Sequence, residues 1–118
     1  MYIQGFLTPV PETAKDAYLA LAKQVATKLT ELGVIELAEC WEEDITDGKL
    51  TDFRMAVKAE PGEKVVFSWM VWPDKATADA GHKRMMEDDF WEGSMDDIPF
   101  DGKRMVYGGF SPIFTMGR

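Results

Sequence analysis

Apolar positions recur with two different periods along this chain, and the change of period predicts its elements. The residues up to Thr8 carry aromatic and aliphatic side chains at odd and even positions alike, which is typical of a strand covered on both faces. Apolar residues three and four apart then continue to Leu32 and are followed by Gly33. A helix is therefore predicted from the capping pair Thr13 and Asp16 to that glycine. Two prolines after Thr8 are expected to end the first strand.

The middle of the chain predicts two strands that flank a short helix. Residues 35–41 alternate in character, and residues 64–72 are apolar at nearly every position, as in an interior strand of a sheet. Between them, the spacing of apolar residues behind Thr51 and Asp52 favours a short helix over a continued strand, with Pro61-Gly62 as its end.

The last third of the chain predicts a helix and a final strand. Asp74 can cap a helix over residues 75–87, and a shorter helix or loop is expected to follow through Met95. The segment PFDGKRMVYGGFSPIF then reads as a turn and a strand that contains a Gly-Gly-Phe sequence. Because the first strand carries a matching Gly5-Phe6, we predict that Gly109-Phe110 lies opposite it and that these two strands form the middle of the sheet.

This order of elements predicts an α+β fold of the ferredoxin-like βαββαβ type. Four antiparallel strands would form one sheet, both long helices would cover one face, and residues 1–118 would form a single domain. At least two strands are apolar on both faces, so the second face also needs a cover. A second copy of the chain would bury it, which predicts a homodimer closed sheet to sheet.

Composition limits the function classes. The chain has 118 residues, a formal net charge of −8 and a sequence pI near 4.6, which disfavours nucleic acid or an anionic membrane surface as the main partner. A single cysteine, no long apolar run and no signal-sequence pattern favour a soluble protein of the reducing cytoplasm.

Three segments resemble a known family: ECWEEDITDGKLTDFRMAVKAE, VVFSWMVWP and PFDGKRMVYGGF. They are similar to the YbaA-like family, a small bacterial family of unknown function, over nearly the whole chain. The resemblance implies a dimeric α+β barrel, in which the sheets of two ferredoxin-like protomers face each other. It implies no substrate and no catalytic residue.

Candidate residues for chemistry are few. Glu39 interrupts an apolar strand face and therefore needs a cation, a shared proton or water; Arg54, Lys58 and Arg104 are its possible partners. A salt bridge is the simpler interpretation, and a general base is the functional one. His82, the single histidine, is a weaker catalytic candidate.

An aromatic cavity with polar anchors is the hypothesis for ligand binding. Its candidate residues are Glu39, Trp41, Arg54, Trp69, Arg104 and Tyr107. Cys40 has no CxxC partner and is interpreted as a small buried apolar residue. No nucleotide motif occurs, and the acidic groups at residues 42–44 and 87–89 lack the spacing of a calcium loop, so no cofactor and no metal are predicted.

Three functions remain open at this point. The first is a homodimer that binds a small molecule at the sheet face or the dimer interface. The second is a cofactor-independent enzyme, similar to monooxygenases or isomerases on the same fold, and the third is a structural or partner-binding dimer without chemistry.

Overall fold

The computed structural model describes residues 1–87, 89–91 and 98–117. Residues 88 and 92–97, which make up most of the predicted helix or loop through Met95, lie outside them. The described residues form four strands and three α-helices, with short 3-10 turns at residues 12–14 and 102–104. The strands are β1 (Tyr2–Pro11), β2 (Glu36–Trp41), β3 (Glu63–Trp72) and β4 (Val106–Phe110), and the helices are α1 (Lys15–Leu32), α2 (Phe53–Ala56) and α3 (Lys75–Met85).

The strands form one open antiparallel sheet in the order β2-β3-β1-β4. The predicted pairing of the first and last strands is confirmed, and β1 is central as predicted. The predicted central position of the last strand is wrong, because β3 is the other central strand and β4 is an edge strand. The register also differs from the prediction. Gly5 lies opposite Gly108, and Ile3 lies opposite Phe110. Gly109 instead lies opposite Gln4, and the hydroxyl of Tyr2 leaves no room there for a Cβ atom.

β1 continues through its two prolines to Pro11, past the expected end at Thr8. Its pairing with β4 ends at Leu7, so Pro9 and Pro11 lie where β1 has only β3 beside it in the sheet. A residue without an N–H group is tolerated where one side of the strand is unpaired.

The helix boundaries follow local signals. Gly33 ends α1 with a φ of 106°, and its N–H contacts the carbonyls of the last turn, as predicted. The predicted Thr13 cap is wrong: α1 starts from a 3-10 turn, and its N-cap residue Ala14 provides no side-chain hydrogen bond. Asp52 and Asp74 do cap α2 and α3, each accepting a backbone N–H at 2.7 Å.

Both long helices pack on one sheet face, which we call the helix-covered face. Its buried cluster joins Leu29 of α1, Ala78 of α3 and the fully buried Trp72 of β3. Gly81 allows α3 to approach closely, since a Cβ atom at this position would lie 2.5 Å from Cη2 of Trp72. The Trp72 ring is itself held by its Nε1, which donates to Oε1 of Gln4 at 2.8 Å.

The other face, called the open face below, carries the side chains of Ile3, Phe67, Trp69 and Phe110. α2 covers one end of it, where the rings of Phe53 and Phe67 meet edge to face at 6.4 Å. None of the described helices is long and apolar enough to cross a membrane.

Candidate functional site

A cavity of about 350 Å³ lies between the helix-covered face and the two long helices. We call it the sheet–helix pocket. Its volume is at the lower end of the range of about 300–1,000 Å³ found for small-molecule sites. Apolar side chains form most of its wall, including Phe6, Leu21, Val25, Leu37, Met70, Met85, Phe100 and Met105.

A group of hydroxyls and one carboxylate forms the polar end of this pocket. The Tyr18 hydroxyl donates to Oε1 of Glu39 at 2.6 Å, and the Ser68 hydroxyl donates to the same oxygen. Ser68 and Thr8 are almost fully buried, whereas Glu39 on the edge strand β2 is exposed. The polar end of the pocket is therefore the end that is open to solvent.

The register of the sheet explains this arrangement. Glu39 pairs with Ser68, and Ser68 pairs with Phe6, so these three side chains share the helix-covered face. Thr8 follows Phe6 by two positions and lies on the same face. Tyr18 reaches the group from the apolar stripe of α1.

The environment of Tyr18 keeps its phenol protonated. Burial, followed by the negative charge of Glu39 and the hydrogen bond to it, raises the pKa of Tyr18 well above its usual value near 10. The nearby hydroxyls of Ser68 and Thr8 act in the opposite direction but do not cancel this effect. At neutral pH, Tyr18 is thus a fixed hydrogen-bond donor to the carboxylate.

His82 lines the pocket from α3, where its ring packs edge-on against Trp72 at 5.7 Å. Its Nε2 atom is buried and has no hydrogen-bond partner in the described part of the chain. The edge-on contact with Trp72 supports a packing role for this histidine.

The structure separates the residues that sequence patterns had grouped as site candidates. Glu39, His82 and Tyr107 line the sheet–helix pocket, whereas Trp69 lies on the opposite face. Trp41 lines neither depression and lies below the ammonium group of Lys15, 5.5 Å from its ring centre.

Arg54 and Arg104 also lie outside the pocket lining, in two ion pairs near the start of β3. Arg54 pairs with the buried carboxylate of Glu42, which also accepts the backbone N–H of Val65 at 2.9 Å. Arg104 makes two hydrogen bonds of 2.7 Å to Glu63. These bonds hold the pKa of Glu63 below its usual range and raise the pKa of Arg104.

The expectation that Glu39 pairs with Arg54, Lys58 or Arg104 is therefore wrong. Both arginines are held by carboxylates at one end of the sheet, and the Arg104 guanidinium also binds the carbonyl of Lys58. One oxygen of the Glu39 carboxylate, Oε1, accepts hydrogen bonds from two hydroxyl groups instead.

A second depression, the open-face cleft, has a volume of about 530 Å³ and is lined mostly by apolar residues from β1, β3 and the C-terminal residues 110–116. Within it, the indole Nε1 of Trp69 donates to Oε2 of Glu36 at 2.9 Å. Cys40 belongs to the same sheet face and is exposed, so its interpretation as a buried residue is wrong.

Sequence reasoning missed three members of the polar group: Thr8, Tyr18 and Ser68. Tyr18 lies on the apolar stripe of α1, and Thr8 and Ser68 lie within apolar strands, so none of them stands out as a polar site residue. For Thr8 and Ser68 the sequence did contain a signal, because each of these hydroxyl residues interrupts an otherwise apolar strand. In the described ranges, no three His, Cys, Asp or Glu side chains come together as a metal site, and Asp88 of the acidic group lies outside those ranges.

The sheet, its helix layer and the pocket beneath define a small α+β protein with an apolar internal cavity. Residues 1–102 match the family described as "Protein of unknown function (DUF1428)", and the chain belongs to this family. It is 49% identical over 112 residues to the protein described as "Uncharacterized protein YbaA" from Escherichia coli (strain K12) and from Shigella flexneri. In both cases, the similarity covers 95% of this chain and 96% of the relative. The predicted YbaA-like family is thereby confirmed.

Proposed function

We propose that the protein is a cytoplasmic homodimer that binds a small, mainly apolar molecule in the sheet–helix pocket. The observation that carries the proposal is the polar end of that pocket, where two hydroxyls hold one oxygen of Glu39. In the described part of the chain, no hydrogen bond reaches its second oxygen, Oε2. A ligand with an apolar body and a hydrogen-bond donor, such as a hydroxyl or an ammonium group, fits this combination.

The homodimer in this proposal is a dimeric α+β barrel of ferredoxin-like protomers. The antiparallel strand order and the packing of both long helices on one face support the protomer fold. The partly exposed Phe67, Val106 and Phe110 on the open face support the dimer. Burial of one such side chain contributes roughly 1.5–3 kcal/mol. The single cysteine, which is free in the structure, supports a reducing compartment.

A first experiment is native mass spectrometry of the protein purified from its own host, compared with the denatured mass. A dimer that carries a defined extra mass would identify the bound compound.

The polar end can be tested with three probes that share one apolar chain: octylamine, 1-octanol and octanoate. Octylamine is expected to bind about fivefold more tightly than octanoate, since its charge is attracted by Glu39 in a partly solvated setting. Glu39→Gln should abolish this preference, while the control Glu31→Gln, on an exposed position of α1, should retain it. Equal binding of the amine and the carboxylate to the wild type would contradict the assignment of Glu39.

Catalysis is a second candidate, favoured by the same free carboxylate oxygen beside a protonated phenol. Glu39 would act as a general base and Tyr18 as its positioning residue. If a copurifying compound is turned over, Glu39→Gln should abolish turnover but weaken binding of that compound only several-fold, because the glutamine side chain keeps an oxygen that can accept a hydrogen bond. If no compound copurifies and none of the three probes binds, the pocket is a packing cavity and the structural dimer becomes the better explanation.

A further inference from the structure

The C-terminal residues 111–117 expose more apolar surface than their position in the fold explains. Ile113, Phe114 and Met116 have exposed fractions of 102%, 82% and 87%. Apolar side chains that stand together in water commonly mark an interaction surface. The same residues follow directly after β4, at the edge of the open face.

The side chains of residues 111–117 fall into two groups: some line a cleft of their own chain and others do not. Pro112, Thr115 and Met116 line the rim of the open-face cleft of their own chain. Ile113 and Phe114 do not line that cleft and keep nearly all of their surface in solvent. Within the described part of the chain, Ile113 and Phe114 therefore have little contact with their own protomer.

The sizes of the surfaces show how much the segment would add to a dimer interface. If a large side chain has about 150–250 Å² to bury, the exposed fractions of Phe67, Val106 and Phe110 amount to only about 300 Å² per copy. A stable interface buries about 800 Å² per partner. With the three exposed residues of the C-terminal segment added, the total reaches on the order of 700–900 Å².

We propose that Ile113 and Phe114 of each protomer pack into the open-face cleft of a second copy of the chain. This inference rests on the proposed homodimer and specifies one contact between its two copies. In a dimer with twofold symmetry, a residue of one copy that meets the cleft of the other implies the reciprocal contact, so two such insertions occur. The cleft is then completed by side chains of the partner.

The dimer dissociation constant of full-length variants, measured by sedimentation equilibrium, tests the proposal. Phe114→Ser is expected to raise this constant at least about a hundredfold, because the burial of two phenylalanines per dimer is lost. Met86→Ser is the matched control. Met86 has an 84% exposed fraction but follows α3 on the helix-covered side, so its replacement should change the constant by less than about threefold. Both positions are exposed in the single chain, and neither change should prevent folding.

Isotope-filtered nuclear Overhauser spectra of a mixed labelled and unlabelled dimer provide a direct readout. Contacts between the Phe114 ring of one copy and Ile3 or Trp69 of the other are expected. If the wild type is a dimer and Phe114→Ser leaves its dissociation constant unchanged, the tail contact is overturned while the proposed dimer stands. Contacts of Phe114 only within its own copy would overturn it as well. A monomeric wild-type protein would overturn both proposals. Residues 111–117 would then be expected to bind a different partner.

Discussion

Replacement of Gly81 by alanine tests the close contact between α3 and the sheet. Two effects oppose each other at this position. Alanine is favoured over glycine inside a helix by about 1 kcal/mol. However, its Cβ atom would lie 2.5 Å from Cη2 and 2.8 Å from Cζ3 of Trp72, where carbon atoms prefer to be about 3.5–4.0 Å apart.

The steric effect is expected to dominate. Trp72 is fully buried and hydrogen-bonded to Gln4, so its ring cannot turn away, and α3 must move outward by about 1 Å. Overpacking of a core typically costs about 1–3 kcal/mol, and the rigid neighbour places Gly81→Ala in the upper part of that range. After the gain in helix propensity, we expect a net loss of about 1–2 kcal/mol in the free energy of unfolding.

The assay is urea denaturation followed by tryptophan fluorescence at one fixed protein concentration. Ala80→Gly, at an exposed position of α3, measures the propensity effect in the same helix without the contact to Trp72 and should cost about 1 kcal/mol. If Gly81→Ala stabilises the protein by the amount that Ala80→Gly destabilises it, α3 does not approach Trp72 as described.

Three further predictions follow from the geometry. Because Arg104 lowers the pKa of Glu63, the stabilisation from this carboxylate is present above its unfolded pKa near 4.5 and is lost as the pH falls through the lower folded value. Urea denaturation from pH 3 to pH 7 should show this loss, and Glu63→Gln should reduce it. In an alkaline ultraviolet titration, Tyr18 should ionise after the other tyrosines, and Tyr18→Phe should remove that last step. A wild-type titration with a single step near pH 10 would contradict the burial of Tyr18. Gly33→Ala should lower the free energy of unfolding by about 1–2 kcal/mol, because of its positive φ. Thermal denaturation checks this value, and an unchanged midpoint would exclude the left-handed cap.

The local parts of the fold could be predicted from the sequence because their signals lie within a few residues of each other. The stripe of α1, the stop at Gly33 and the caps at Asp52 and Asp74 are all of this kind. The failed Thr13 cap shows the limit, since a 3-10 turn replaced a motif that was locally plausible.

The sheet required information that no local pattern contains. The glycine match correctly paired β1 with β4, but a shift of one residue changed which glycine faces Gly5, and the edge position of β4 depends on where β3 pairs. A one-residue shift moves every side chain to the other face, so register errors propagate to site predictions.

The candidate site was predicted only in part for the same reason. Glu39 was recognisable because a carboxylate on an apolar strand face needs an explanation. Its partners Tyr18 and Ser68 lie far from it in the sequence and carry no charge to indicate them. By charge, Arg54 and Arg104 were plausible partners of Glu39. They were equally plausible partners of Glu42 and Glu63, and only the folded chain shows which ion pairs form.

The pairing of β1 has a consequence for the order of events during synthesis. Tyr2 pairs with Trp72 and Pro11 with Glu63, so every sheet partner of β1 is translated after roughly half of the chain has been made. At about 5–20 residues per second, this apolar strand remains without a partner for several seconds on the ribosome. α1 can form in the meantime, but the sheet cannot close around β1 until β4 has left the exit tunnel. We therefore expect nascent chains of this protein to depend on protection of their first strand more than the small size of the finished fold suggests.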